Sequence, residues 1–114
     1  MRDADEPPFD VQVREASGAT VIVFEGDLDL LSANRAETAL LDAQVAGGTV
    51  YLDLRSLRFI DSSGLRVILE AHRRAGERGS GLLVSAGEHA VQRVMTVSGV
   101  GGLLDLVDAP PEEP

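Results

Sequence analysis

Hydrophobic residues recur along the chain with two periods, and each period predicts a type of element. Residues 9–14 alternate between apolar and polar, which is typical of a half-buried strand. The turn signal Ser17-Gly18 and the continuous apolar run 21–24 come next, so these segments predict a hairpin whose second strand is buried on both faces. A further strand is predicted at 49–54, where alternate residues are again apolar.

Three segments carry helical spacing instead. The first follows Ser32, a residue type favoured at the N-cap, and ends at Gly47-Gly48. The second has the clearest apolar stripe, with spacing i, i+3, i+4, i+7 and i+10. Its members are Leu65, Ile68, Leu69, His72 and Ala75. A short strand at 82–84 precedes the third helix, predicted at 88–96.

The element order is therefore β-β-α-β-α-β-α. A strand–helix–strand crossover pairs its strands in parallel, whereas a hairpin pairs them antiparallel. The order thus predicts an α/β fold with a mixed sheet of four or five strands and helices packed against it. Residues 103–107 would form an edge strand or a packed tail. The predicted domain covers 9–107, between flexible segments at 1–8 and 108–114 that are rich in Pro, Asp and Glu.

Composition narrows the function classes. The chain has 114 residues, enough for one domain, and a formal net charge of −9 with ten cationic residues, all arginine. This charge argues against nucleic acid and anionic membranes as partners. The absence of cysteine excludes disulfides, thiolate catalysis and thiolate metal sites. The polar N-terminus and the lack of an apolar run of ~20 residues lead us to expect a cytoplasmic protein.

The segment Asp61-Ser62-Ser63-Gly64 is the strongest candidate site. It lies between an apolar run and an amphipathic helix, hence at a helix entrance with free backbone N–H groups and a positive dipole end. A residue here can cap the helix, which contributes about 1 kcal/mol. A serine here can also carry a phosphate of about −1.5 to −2 charges, which the helix end tolerates. The residue types alone favour a cap, by Ser62 or by Asp61, and leave open which serine would accept phosphate.

Residues 50–69, which surround this segment, resemble the characteristic sequence of STAS-domain anti-sigma factor antagonists from bacteria. Gly26-Asp27-Leu28-Asp29 is similar to the family's Gly-Glu/Asp-Leu-Asp motif, and residues 91–100 are similar to its third helix and Ser/Thr-Gly ending. The resemblance covers about residues 9–107 in the family's element order. It implies the STAS fold.

The resemblance also implies a phosphoprotein that regulates transcription by partner switching. Unphosphorylated members bind an anti-sigma factor, which frees a sigma factor. That anti-sigma factor is typically a serine kinase with a histidine-kinase-like ATPase domain, and it inactivates its antagonist by phosphorylation, which a serine phosphatase reverses. By the match, Ser62 is the phosphoacceptor and Ser63 the less favoured one. The residues expected to bind the partner are Asp27, Asp29, Asp61, Ser62, Ser63, Gly64 and Arg66.

Other chemistry has weaker support. Neither His72 nor His89 belongs to a motif with a serine or a metal-ligand cluster, and the chain has no lysine to complete a phosphate-binding glycine loop. Asp27 and Asp29 lack the ligand density of a calcium loop, and bracing the loop or contacting the partner is the favoured role. We therefore expect no enzyme activity, no metal and no cofactor. The alternative function is a STAS scaffold or accessory subunit, in a lipid-transport ATPase complex or a stress-sensing assembly, without a sigma-regulatory switch.

Overall fold

The computed structural model describes residues 9–87 and 89–112, so the predicted segment 1–8 lies outside the described residues. In chain order the elements are β1 (Phe9–Ala16), β2 (Ala19–Leu28), α1 (Ala33–Ala46), β3 (Val50–Ile60), α2 (Ser62–Arg78), β4 (Leu82–Ser85), α3 (His89–Ser98), a 3-10 helix (Val100–Gly102) and β5 (Asp105–Leu106). The predicted order and α/β class are confirmed, and the segment after α3 supplies a short fifth strand.

The sheet order follows the sequence order, β1-β2-β3-β4-β5. The first two strands pair antiparallel around Ser17 and Gly18, whose φ angles of 55° and 80° suit a tight hairpin turn. Every later neighbouring pair is parallel, because a helix lies in each connection. The carboxyl ends of β2 and β3 therefore lie at the same edge of the sheet, and this edge carries the candidate site.

The core lies between one face of the sheet and the helices. Ile22, Leu52 and Val84 occupy adjacent strands in register and are fully buried there. The packing is aliphatic apart from Phe9 and Phe24, whose ring centroids lie 5.4 Å apart. After β5 the chain returns to β1, where a guanidinium nitrogen of Arg14 donates to the carbonyl of Pro111 at 3.0 Å.

Helix α2 is rotated about its axis relative to the predicted stripe. Its buried residues are Gly64, Val67, Ile68, Ala71 and Ala75, whereas the predicted core residues Leu65, Leu69 and His72 are half-buried. Of the predicted stripe, Ile68 and Ala75 are buried, Leu65 and Leu69 pack against the core at its margin, and His72 is half-buried. The stripe did not include Val67 and Ala71, which are also buried. Small residues at three of the five buried positions allow the helix axis to approach the sheet closely, and the larger leucines are left at the margin of the contact.

Strand β3 changes its facing pattern halfway along. Its register with β2 shifts twice, between Val23/Glu25 and between Gly26/Asp27 on the β2 side. The buried apolar residues are accordingly spaced by two at the start of the strand, at 50, 52 and 54, and by three at its end, at 57 and 60. Asp27 then lies opposite Phe59, which is exposed, at the edge of the sheet where α2 begins.

Candidate functional site

Asp61 caps helix α2. Its backbone is extended (φ −114°, ψ −171°), and its Oδ1 accepts hydrogen bonds from the backbone N–H groups of Ser63 at 2.9 Å and Gly64 at 3.1 Å. This geometry is that of an N-cap, which satisfies two donors that the helix itself cannot. The reading of Ser62 as the cap is therefore wrong. Ser62 is the first helical residue, one position too late to cap.

Gly64 fixes the first turn of α2 against the ends of two strands. A Cβ atom at this position would lie 2.7 Å from Leu28 Cγ, 2.8 Å from the Leu28 carbonyl oxygen and 2.8 Å from Ile60 Cγ1. Real side chains do not tolerate such separations, so the close approach requires glycine. The backbone N–H of Asp61 also donates to the Leu28 carbonyl at 3.1 Å. The helix entrance is thus held directly beside the loop that follows β2.

Asp29 organises that loop. Its Oδ1 accepts from the backbone N–H groups of Leu31 at 3.0 Å and Ser32 at 3.3 Å. The Ser32 hydroxyl donates to the Asp27 carbonyl at 2.8 Å and makes no capping bond to α1. Ser32 precedes α1 as predicted, but its side chain closes the loop instead. Asp29 therefore braces the loop, which is one of the two roles that the sequence left open.

Asp27 lies on the strand side of the site and forms a surface ion pair with Arg58. The closest nitrogen–oxygen separation is 3.4 Å, and the arginine side chain is mostly exposed. Pairs of this kind contribute little to stability because solvent screens the exposed partner. Asp27 is half-buried next to the loop, with 22% of its side chain exposed, whereas the more distant Asp53 is buried and held by Arg55 through bonds of 2.9 and 3.0 Å. Those bonds raise the pKa of Arg55 against the opposing effect of its partial burial.

The two serines differ in accessibility. Ser62 is exposed, whereas Ser63 is half-buried. Ser62 lines a shallow depression of about 400 Å³ beside α2, together with Leu65, Arg66, Leu69, Glu70, Arg73 and Val100. Arg66 lies one turn after Ser62, and its guanidinium is 3.7 Å from the Glu70 carboxylate. Of the seven predicted site residues, the structure brings all to the neighbourhood of the α2 entrance, with Gly64 buried beneath it.

Three exposed apolar side chains near this entrance were missed by sequence reasoning. Leu30 and Leu31, in the loop braced by Asp29, are 73% and 78% exposed, and Phe59 is 50% exposed. The spacing of three between the buried Leu57 and Ile60 is the one sequence signal that residue 59 faces away from the core. All three flank the α2 entrance, because the loop follows the end of β2 and Phe59 lies opposite Asp27 in β2.

Candidate metal groups and membrane spans were sought in residues 9–87 and 89–112. Within these ranges no three side chains among His, Asp and Glu are grouped closely enough to hold an ion. The helices of the same ranges are all too short or too polar to cross a bilayer.

The family model of the STAS domain matches residues 10–110. No curated protein matches the sequence. An anti-sigma factor antagonist from Mycobacterium paratuberculosis has a similar structure, with 21% identity, a TM-score of 0.82 and coverage of 90% of this chain and 87% of that chain. The antagonist SpoIIAA in its unphosphorylated form is 22% identical, with a TM-score of 0.71 over 86% of this chain and 88% of that chain.

Two further structures extend the comparison. The Bacillus cell fate determinant SpoIIAA in its phosphorylated form is 22% identical, with a TM-score of 0.66 over 86% of this chain and 91% of that chain. A sulfate transporter family protein from Wolinella succinogenes is 20% identical, with a TM-score of 0.66 over 77% of this chain and 75% of that chain. At these identities the structural likeness is one of fold, and it agrees with the match over residues 10–110. The chain belongs to the STAS domain family.

Proposed function

We propose that this protein is an anti-sigma factor antagonist whose binding is switched off by phosphorylation of Ser62. In the unphosphorylated state it binds an anti-sigma factor and so releases a sigma factor. The observation that carries the proposal is an exposed serine hydroxyl at the first position of α2, placed by Asp61 and Gly64 beside a braced loop that presents two exposed leucines. A STAS fold shared with anti-sigma factor antagonists supports the class of partner.

The interface comprises the helix entrance, the loop 27–32 and the exposed Arg66 on α2. Leu30, Leu31 and Phe59 supply apolar area, which is the usual source of binding energy at the centre of an interface. Asp27 lies at its margin, where a charge governs orientation and association rate more than affinity. The surface is modest, as reversible exchange of partners requires.

Phosphorylation acts on this interface and leaves the fold unchanged. The partner kinase transfers the γ-phosphoryl group of ATP to Ser62 Oγ, with release of ADP, and a phosphatase later removes it. The added charge of about −1.5 to −2 falls on a side chain that makes no packing contact in the core. A partner seated on Leu31 and Ser62 would meet both the bulk and the charge, so binding is lost while the domain remains folded.

In this scheme the chain is a binding protein and not an enzyme, since the kinase and phosphatase activities reside on its partners. It needs no cofactor of its own, and it acts in the cytoplasm, where sigma factors and ATP are found. A serine phosphatase completes the cycle.

A second candidate is a STAS scaffold or accessory subunit without a sigma-regulatory switch. It is favoured by the similar fold of the sulfate transporter family protein. A scaffold has no need of an accessible serine at the α2 entrance, so the exposure of Ser62 favours the switch.

The deciding experiment combines the chain with a candidate anti-sigma kinase and ATP and locates the phosphate by mass spectrometry. We expect one phosphate, on Ser62, and loss of the complex on phosphorylation. Ser62→Ala should abolish the modification, and Ser63→Ala, the matched control, should retain it. Full phosphorylation of Ser62→Ala, or a complex that survives phosphorylation, would refute the proposal.

A further inference from the structure

Three of the backbone donors at the α2 entrance, which could otherwise hold a phosphate, are already engaged. The N–H groups of Ser63 and Gly64 donate to the Asp61 side chain, and the N–H of Leu65 donates to the Asp61 carbonyl at 3.0 Å. A phosphate on Ser62 would therefore find these three N–H groups occupied and a carboxylate in the preceding residue. The positive end of the helix compensates the added charge only in part, and a cationic side chain nearby would compensate more of it.

Arg66 is placed to supply that charge. It lies four residues after Ser62 on α2, a spacing at which side chains are neighbours on the same helix face, and both residues line the same depression. Its present contact with Glu70 is 3.7 Å long, beyond hydrogen-bond distance. The guanidinium can therefore turn from Glu70 towards Ser62 without breaking a hydrogen bond to that carboxylate.

We infer that Arg66 binds the phosphate of modified Ser62 and exchanges Glu70 for it, an inference that rests on Ser62 being the phosphoacceptor. A phosphate dianion carries about twice the charge of a carboxylate and matches the planar guanidinium through two parallel hydrogen bonds. The phosphate therefore outcompetes Glu70 for the same cation. Phosphorylation then changes the partner-binding surface of this protein in two ways. It adds an anion at Ser62, and it moves the guanidinium of Arg66 from Glu70 to the phosphate.

The other charged groups around Ser62 do not replace Arg66. Asp61 and Glu70 are acidic and oppose the phosphate. Arg58 lies on β3 and is paired with Asp27. Arg73 lines the far end of the depression, but it lies eleven residues along α2, a rise of about 16 Å, and is hydrogen-bonded to Glu77 at 2.9 Å. Arg73 thus provides a matched control on the same helix.

The test places phosphoserine at position 62 during synthesis of the full chain, which removes any dependence on a kinase. Phosphorus NMR then follows the second ionisation of the phosphate with pH. A cation favours the dianion over the monoanion, so we expect Arg66→Gln to raise the phosphate pKa by about 0.3 units, the size expected of an i, i+4 ion pair. Arg73→Gln should leave the phosphate pKa unchanged. Arg66→Lys should raise the phosphate pKa by less than Arg66→Gln does, because lysine keeps the positive charge.

Equal phosphate pKa values in the parent and in Arg66→Gln would overturn the inference, as would an equal shift in Arg73→Gln. Circular dichroism of each variant confirms that α2 is intact, which is expected for exposed positions. The same samples are tested for binding to the anti-sigma factor. Retained binding by the phosphorylated parent would refute the proposed function, whatever the phosphate pKa, so the two failures can be told apart.

Discussion

Replacing Gly64 by alanine tests whether the close approach of α2 to the strand ends is structurally required. The added Cβ would lie 2.7–2.8 Å from two core side chains and from the Leu28 carbonyl, and the carbonyl cannot rotate away. Overpacking of this kind costs about 1–3 kcal/mol, against which alanine recovers up to about 1 kcal/mol of helix propensity. We expect a net loss of about 1–2 kcal/mol in the free energy of unfolding.

Urea denaturation followed by circular dichroism measures this loss, with Gly76→Ala as the matched control. Gly76 lies in the same helix, and a Cβ there meets no atom within 4 Å. That variant should therefore gain stability through propensity alone, by up to about 1 kcal/mol. Opposite signs for the two variants are the expected result. If Gly64→Ala were as stable as Gly76→Ala, the start of α2 would not pack closely against Leu28 and Ile60, and the argument for glycine at position 64 would be wrong.

Three further predictions concern the same surface. Asp61→Ala should lower the free energy of unfolding by about 1 kcal/mol in urea titrations, and Asp61→Asn by less, because asparagine retains a capping oxygen; equal losses would contradict a capping role. Leu31→Ser should weaken binding to the anti-sigma factor at least tenfold in calorimetry, whereas Val45→Ser, exposed at the far end of α1, should bind normally. Ser62→Asp should keep a free energy of unfolding within about 0.5 kcal/mol of the parent, yet bind the anti-sigma factor at least tenfold more weakly. A fall of more than about 1.5 kcal/mol in the free energy of unfolding would show that Ser62 is packed.

The element order could be predicted because it depends on periodicity and turn residues, which a sequence displays directly. The alternation at 9–14 and the Ser17-Gly18 turn specify the hairpin, and the glycines at 47 and 48 end α1 as expected. Each of these signals is local. The turn and the helix end lie at exposed positions, so these local preferences act there without support from burial.

Positions that depend on contacts between elements were less predictable. The predicted stripe of α2 leaves out the buried Gly64 and Ala71, because glycine and alanine carry little hydropathy signal although their small size decides which face of the helix packs closest. The cap was ambiguous because aspartate and serine at adjacent positions are equally suitable, and only the extended backbone of Asp61 decides between them. The exposure of Phe59 follows from the register shifts between β2 and β3, and the spacing of Leu57 and Ile60 is its only trace in the sequence.

The separation of structural from exposed roles at the α2 entrance explains how one hydroxyl can be modified without loss of the fold. Asp61 and Gly64 hold the helix through a cap and a close backbone contact, and both face inward or along the chain. Ser62 lies between them in sequence but contributes to neither, because its side chain is exposed. In the proposed switch a phosphate there would change what a partner meets at the surface, while the cap beneath it would continue to hold α2 in place.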